Sequence, residues 1–412
     1  MDLAFIMRPI FYYMLGTGGW FAGFGIQGVL FAWLVAMELR SSPELLGIAQ
    51  MCLLLPGTLF MLIGGSIADR LGPHRVVVVA CGLAAINPII LIFLLFSDRL
   101  NYSSMIFYAL MMGTVAAFAN PARDGLLNFV ASGRVQRTVM IASMVQFSGQ
   151  LLGFTIAATT DWFGPELVLL FHTLFLVFGV AMFRLIQLPR YSAPSAHLSL
   201  ANSLKQGAIT VFSSSSMRLI VIQNVAMGLF FMGSFVVTIP LLVRDIHLGS
   251  SQDLAIMNMV NSFGLLASIF LLFRLGDVQR PGRALILSHI LGAIALASVG
   301  IPSQFYWAVG VALIWGLSGG IAITMSRTIM QEQAPADQRG RVMSFYGLSF
   351  MGSGPLGALL CGYLSEHWGP KTALLICAVG MIAVTLILFF GTKLWQFSTN
   401  NYELEMEDGN EV

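Results

Sequence analysis

The chain has 412 residues, 57% of them hydrophobic and 10% charged, with a mean hydropathy of +0.83. Soluble domains carry about 25% charged residues, so this composition excludes a soluble globular protein and points to one embedded in a bilayer. The net charge of +2 selects no partner; where the charges fall says more.

Twelve apolar runs reach the roughly 20 residues that a bilayer-crossing helix needs. They are expected near 9–37, 44–69, 74–97, 103–130, 137–160, 165–187, 217–243, 252–275, 282–301, 304–330, 340–364 and 370–395. The first is too long for the apolar part of a cleavable signal peptide and is expected to persist as a helix. Asn101-Tyr102-Ser103, between spans 3 and 4, matches the glycosylation pattern and is read as a chance match. Cys52, Cys81, Cys361 and Cys377 all lie inside apolar runs without metal-ligand spacing, so they are expected to be small embedded side chains.

The long connection, 188–216, holds Pro189, Pro194 and the run Ser213 to Ser216. It reads as a linker, part of it a short helix on the membrane surface. The expected plan is an N-terminal six-helix bundle over 1–187, the linker over 188–216, a C-terminal six-helix bundle over 217–395 and an acidic tail over 396–412. With twelve spans, both chain ends share one side. Placing that side in the cytoplasm leaves only Arg40, Arg99, Arg244 and Lys371 of the 21 Lys and Arg on the far side, which is the bias of the positive-inside rule.

Gly64-Gly65-Ser66-Ile67-Ala68-Asp69-Arg70-Leu71-Gly72-Pro73-His74-Arg75 joins spans 2 and 3 through a tight charged turn. A related turn, Gly276 to Arg283, joins spans 8 and 9, and Asp69, Pro73 and Arg75 match Asp277, Pro281 and Arg283 at one offset of 208. Arg123 and Arg137 are 14 apart, as are Arg327 and Arg341, and Gly164-Pro165 matches Gly369-Pro370 at an offset of 205. Two parallel copies of a six-helix unit mark one large class of transporter.

With these motifs the chain resembles the major facilitator superfamily over its whole length. The turn at Gly65–Arg75 is similar to that family's signature loop between helices 2 and 3, although Pro73 and His74 precede Arg75 where two basic residues are usual. Asn120 to Leu127 on span 4, with Pro121, Arg123 and Leu126, and Ala334 to Ser344 at the start of span 11 resemble a bacterial branch that includes enterobactin exporters and macrolide-efflux proteins. The resemblance implies an all-α membrane fold of twelve helices in two pseudo-symmetric bundles.

In that fold span 2 packs against span 11. Asp69 is then expected to cap or ion-pair the positive start of span 11, with Arg341 as its charged partner. The symmetric pair is Asp277 with Arg137. Such pairs latch the cytoplasmic side shut and break when it opens. The other reading is that the turns only fix topology and cap helices. Arg70, Gly72, Arg75 and Arg283 complete the motif. Arg123 and Arg327 lie towards the cytoplasmic ends of spans 4 and 10, in structural or gating roles or in contact with substrate. Asp124 is placed to pair with Arg123, Arg70 or Arg75.

The resemblance also places spans 1, 4, 7 and 10 around the cavity, flanked by 2, 5, 8 and 11, with 3, 6, 9 and 12 towards lipid. Candidate substrate contacts are Gln27, Asn120, Gln146, Gln150, Gln223, Asn224, Asn258 and Asn261. Gln146/Gln150 and Asn258/Asn261 each share one helix face. Each residue is equally a candidate for interhelical hydrogen bonding, since polar groups in a membrane must face protein or water. His172 and His289, on peripheral spans, are expected to pack.

No Asp or Glu falls near the middle of a span, which favours a neutral or anionic substrate over a cationic one. No phosphate-binding Gly-rich loop and no His/Asp/Glu or Ser-His cluster supports an enzyme or an ATP-driven pump. The expected function is secondary-active export of a small organic molecule, siderophore-like or amphipathic, from a bacterial inner membrane by alternating access. Import of a nutrient or metal chelate on the same fold is the alternative, and a sensor or membrane enzyme the remote one. No cofactor or metal is expected, with proton coupling open. The expected partners are the substrate and the lipid bilayer, without nucleic acid, and the expected state is a monomer.

Overall fold

The computed structural model describes residues 3–131, 135–187, 200–276, 278–301, 304–335, 338–391 and 394–396. Every regular element among them is helical. The spans run Pro9–Glu38, Pro43–Leu71, Pro73–Phe96, Tyr102–Leu127, Thr138–Ala157, Pro165–Arg184, Ser215–Asp245, Ser251–Leu275, Pro281–Val299 and Phe305–Gln333. A last helix, Arg339–Gly391, breaks at Gly369, whose φ of 78° is non-helical, and so supplies spans 11 and 12. All twelve expected spans are present, each within a few residues of its expected bounds.

The breaks between spans follow from local chemistry. Gly72, Gly164 and Gly369 have φ of 91°, 82° and 78°, a left-handed region that costs a side chain but not glycine. A proline follows each and opens the next helix, where its missing N–H is harmless. Span 2 is opened by Ser42, whose hydroxyl accepts from Leu45 N, ahead of Pro43. Asn101 and Ser104 form a reciprocal capping box at the start of span 4, so the sequon asparagine is a helix cap here.

The chain divides into two compact units, Met1–His197 with Val243–Met259, and Leu198–Leu242 with Val260–Val412. In the first unit span 1 packs on spans 5 and 6, span 2 on span 4, and span 3 on spans 4 and 6. Spans 1 and 5 approach backbone to backbone: a Cβ on Gly25 would strike the Gln150 carbonyl, and one on Gly153 would strike that of Ala22. Dispersion and backbone proximity, rather than the hydrophobic effect, hold helices together in lipid.

The hairpin from the end of span 7 to the start of span 8 also belongs to this unit, for a polar reason. Arg244 donates to the carbonyls of Ala36 (3.0 Å), in the last turn of span 1, and Ser41 (2.8 Å), in the loop after it. Asp161, just after span 5, accepts from Ser251 Oγ (2.6 Å) and Gln252 N (3.3 Å) at the first turn of span 8. Each charge thus meets the helix end of opposite polarity.

In the second unit span 7 packs on span 11 and span 9 on span 10. Span 7 changes to π-helix over Met227–Met232 and Ser234–Thr238, and span 1 does so over Leu34–Glu38. The linker forms a helix, Leu200–Ser213. It buries Val211 in the core built from Met217, Ile220, Leu285, Ile329 and Val342.

Candidate functional site

Span 4 carries a polar cluster near its Val130 end. Arg123 is only 7% exposed. Its guanidinium lies 4.6 Å from the centre of the Phe21 ring of span 1. It donates to Asn120 Oδ1 (3.1 Å) and to Asp124 Oδ1 (3.2 Å), and the Tyr13 hydroxyl of span 1 donates to the Arg123 carbonyl (3.3 Å). The Asp124 side chain, 73% exposed, points outward. A buried charge needs such compensation: a carboxylate, an amide oxygen and an aromatic face together replace the water it has lost. Asn120 therefore serves to orient Arg123. Sequence reasoning had no signal for Tyr13 or Phe21, whose aromatic type is common in membrane helices.

Arg327, at the corresponding place on span 10, is exposed. Its setting includes Tyr346 of span 11, with which it interacts electrostatically. Tyr346 in turn shares a hydrogen bond with Ser326 Oγ (2.8 Å).

The turn between spans 2 and 3 exposes Asp69, Arg70 and Arg75 and buries Gly72. Its anchor is the non-family residue His74. The ring Nε2 lies 2.8 Å from the Phe183 carbonyl in the last turn of span 6, and a carbonyl only accepts, so Nε2 donates. Gly125 of span 4 sits against Pro73 of the same turn. In the second unit the matching anchor is Arg283, which donates to the Trp395 carbonyl (3.3 Å) and lies over the Trp395 ring. Asp277 and the Arg137 side chain lie outside the described residues. Arg341 is held by the linker helix: it donates to Gln206 Oε1, Thr210 donates to Gln338, and Gly207 lies tightly against the Arg341 backbone, where a Cβ would come within 3.0 Å of its carbonyl oxygen.

The other polar candidates fall in different places. Gln27 is buried within the first unit and faces His172, Tyr108 and Leu91 across a void. Gln146 and Gln150 are half-buried on span 5. In the second unit the Gln223 amide lies 2.9 Å from His289 Nδ1, Asn224 donates to Ser349 Oγ (3.3 Å) and Asn261 to the Ala312 carbonyl (3.2 Å). These three tie helices together. Asn258, in the first unit, is buried with its Oδ1 unpartnered. His172 and His289 are fully enclosed in their bundles. A cavity of about 650 Å³ in the first unit is lined by Trp33, Arg40, Asp161 and Arg244, a group the sequence reading did not bring together. No cluster of metal-ligating side chains occurs among the described residues.

Comparison with known proteins agrees with this architecture. The sequence model of the Major Facilitator Superfamily matches residues 13–358. A staphyloferrin A transporter of Staphylococcus aureus is 24% identical over 395 residues, covering 92% of this chain and 94% of that protein. An enterobactin exporter of Citrobacter koseri is 24% identical, covering 80% and 78%. A multidrug efflux pump of Mycolicibacterium fortuitum is 25% identical, covering 90% and 93%. Among solved structures, the peptide transporter PepTSo superposes with a TM-score of 0.74 at 12% identity, covering 94% and 98%. The nucleoside transporter NupG gives 0.70 at 15%, covering 95% and 100%. At such identities these two show the shared fold alone.

Proposed function

The chain belongs to the major facilitator superfamily, and from that premise we propose that it exports a small neutral or anionic organic molecule across a bacterial inner membrane. It is a multi-pass membrane transporter and not an enzyme. The export direction is supported by the efflux proteins and siderophore exporters among its relatives. The observation that carries the charge preference is the pair Arg123 and Arg327. Each half sets a permanent cation on its fourth helix, and the carboxylate nearest to Arg123 is already engaged with it and turned outward. A carboxylate- or catecholate-bearing compound meets that field favourably, whereas a cationic drug does not.

The Asp69 end of the molecule faces the cytoplasm in this reading, with both chain ends on that side. Asp69 pairs with the start of span 11 when the cytoplasmic side closes, and Asp277 with Arg137 in the same way. Alternating access follows if substrate binds the two states with different affinity. The protein works as a monomer, with substrate and lipid as its partners and no bound cofactor.

Radiolabelled enterobactin and staphyloferrin A, presented to inside-out and right-side-out vesicles with and without a pH gradient, test this reading. Uptake into inside-out vesicles is the expected result. Uptake confined to right-side-out vesicles would make the protein an importer of a metal chelate. Preference for ethidium over both anions would refute the charge argument.

A further inference from the structure

His172 of span 6 has no exposure, and neither ring nitrogen has a hydrogen-bond partner. It borders a void too tight to admit a water molecule, with Gln27 on the opposite wall. An imidazole left this way forfeits the hydrogen bonds it would make in water, which destabilises the folded state. A leucine would fill the place without that cost.

The second unit builds a related combination in closer contact, in which only the Nδ1 side of the ring is partnered and Nε2 is not. The Gln223 amide nitrogen, on the first span of that half, lies 2.9 Å from His289 Nδ1, and the Leu285 carbonyl lies 2.8 Å from the same nitrogen. The His289 ring stacks on Phe231. In each half, then, a glutamine on the first span faces a buried histidine, and a π-helical segment follows the glutamine. On span 1 that segment begins at Leu34, which itself borders the His172 void. π-Helical turns are places where a helix can change register, and they gather at functional sites.

We propose that His172 is the proton-binding residue of the transport cycle, and that Gln27 accepts from it once span 1 shifts. The proposal rests on the reading of the chain as an alternating-access transporter. Neutral His172 fits the closed void. Protonated His172 carries a charge with two donors and no acceptor, which the membrane interior penalises heavily. Proton uptake therefore favours a register shift of span 1 at its π-helical turn, which admits water to the void and turns the Gln27 amide oxygen to the imidazolium. Around the ring, span 1 offers Gln27 and apolar residues, span 3 Leu91, and span 4 Met105 and Tyr108. Tyr108 is the other titratable group among these, and none of them carries a counter-charge that would blunt the effect.

The test needs protons alone. Spin labels at Leu185→Cys and Gln396→Cys, beyond the ends of spans 6 and 12, report the conformational distribution in nanodiscs between pH 8 and pH 5.5. The four native cysteines are replaced beforehand. The wild-type background should lose one distance population as the pH falls, and His289→Gln should do the same. His172→Gln and His172→Leu should give one distribution at every pH, and His172→Leu should melt no lower than wild type. A full pH response in both His172 variants, or none in the wild type, overturns the proposal. An importer result in the vesicle assay leaves this outcome untouched, because no substrate is present.

Discussion

Arg123 and Arg327 occupy corresponding points of spans 4 and 10, each 14 residues ahead of another arginine. The first is buried under Phe21 with Asn120 and Asp124 as hydrogen-bond partners; the second is exposed beside Tyr346. A repeated sequence has produced two different chemical settings. Arg123 is held by its own bundle, so its charge is fixed in place. Arg327 keeps an unburied guanidinium, and that is the group better suited to meet an anion. Duplication supplied the position, and the neighbouring helix decided the role: span 1 offers Tyr13 and Phe21 to Arg123.

The largest effect is expected from Arg123→Ala. It removes two charge-assisted hydrogen bonds, each worth about 1.5–3 kcal/mol, and a cation–π contact worth about 0.5–2 kcal/mol. Losses should be partly offset by relaxation, leaving a clear drop in melting temperature together with loss of transport. Arg327→Gln should separate these two readouts. Transport of an anionic probe should fall by about tenfold, or about 1.4 kcal/mol, with an unchanged melting temperature. If Arg327→Gln melted as low as Arg123→Ala, the two arginines would be doing the same structural work and the contrast between the halves would collapse.

A smaller, several-fold loss of transport is expected for Asp69→Asn, with normal membrane insertion, if Asp69 serves as the proposed latch; the residue itself is exposed. Normal transport by this variant would refute the latch. Gln206→Ala tests the same latch from the other side. In this structure Gln206 and Thr210 clasp the start of span 11, and Gly207 lets the linker helix lie directly against Arg341. Releasing Arg341 from Gln206 should favour its pairing with Asp69, so an outward-open population measured by cysteine accessibility should rise. No change in Gln206→Ala, alongside an inactive Asp69→Asn, would mean that Asp69 engages the helix terminus rather than the arginine.

Much of the fold was legible because it follows from local rules. Twelve apolar runs of spanning length need no tertiary information, and the Gly-Pro pairs at 72–73, 164–165 and 369–370 mark breaks through φ alone. The site was less legible because polar residues in a membrane have two uses that look alike in sequence. Gln223, Asn224 and Asn261 bond to neighbouring helices, yet nothing in their spacing distinguishes them from Gln146 and Gln150. The grouping of Asp161 with Ser251, and of Arg244 with the end of span 1, joins residues far apart in sequence. Only helix polarity hinted at it, in an acid before one helix and a base after another.

The smallest expected effects concern the anchors of the two charged turns, where the halves reach one end by different means. At the start of span 3, His74 donates to the last turn of span 6; at the start of span 9, Arg283 reaches the segment after span 12. The histidine stands one place earlier in its motif than the arginine does. Each bond satisfies a carbonyl near a helix end. His74→Ala should lower stability by about 1 kcal/mol, seen as faster hydrogen exchange near Phe183. Arg283→Ala loses ring contact as well as a hydrogen bond and should cost somewhat more, with exchange rising around Trp395. Arg75→Ala, which removes the exposed basic residue matching Arg283 in sequence, should leave both regions unchanged. An effect of Arg75→Ala near Phe183 as large as that of His74→Ala would show that sequence register, and not the bond seen here, assigns the anchor.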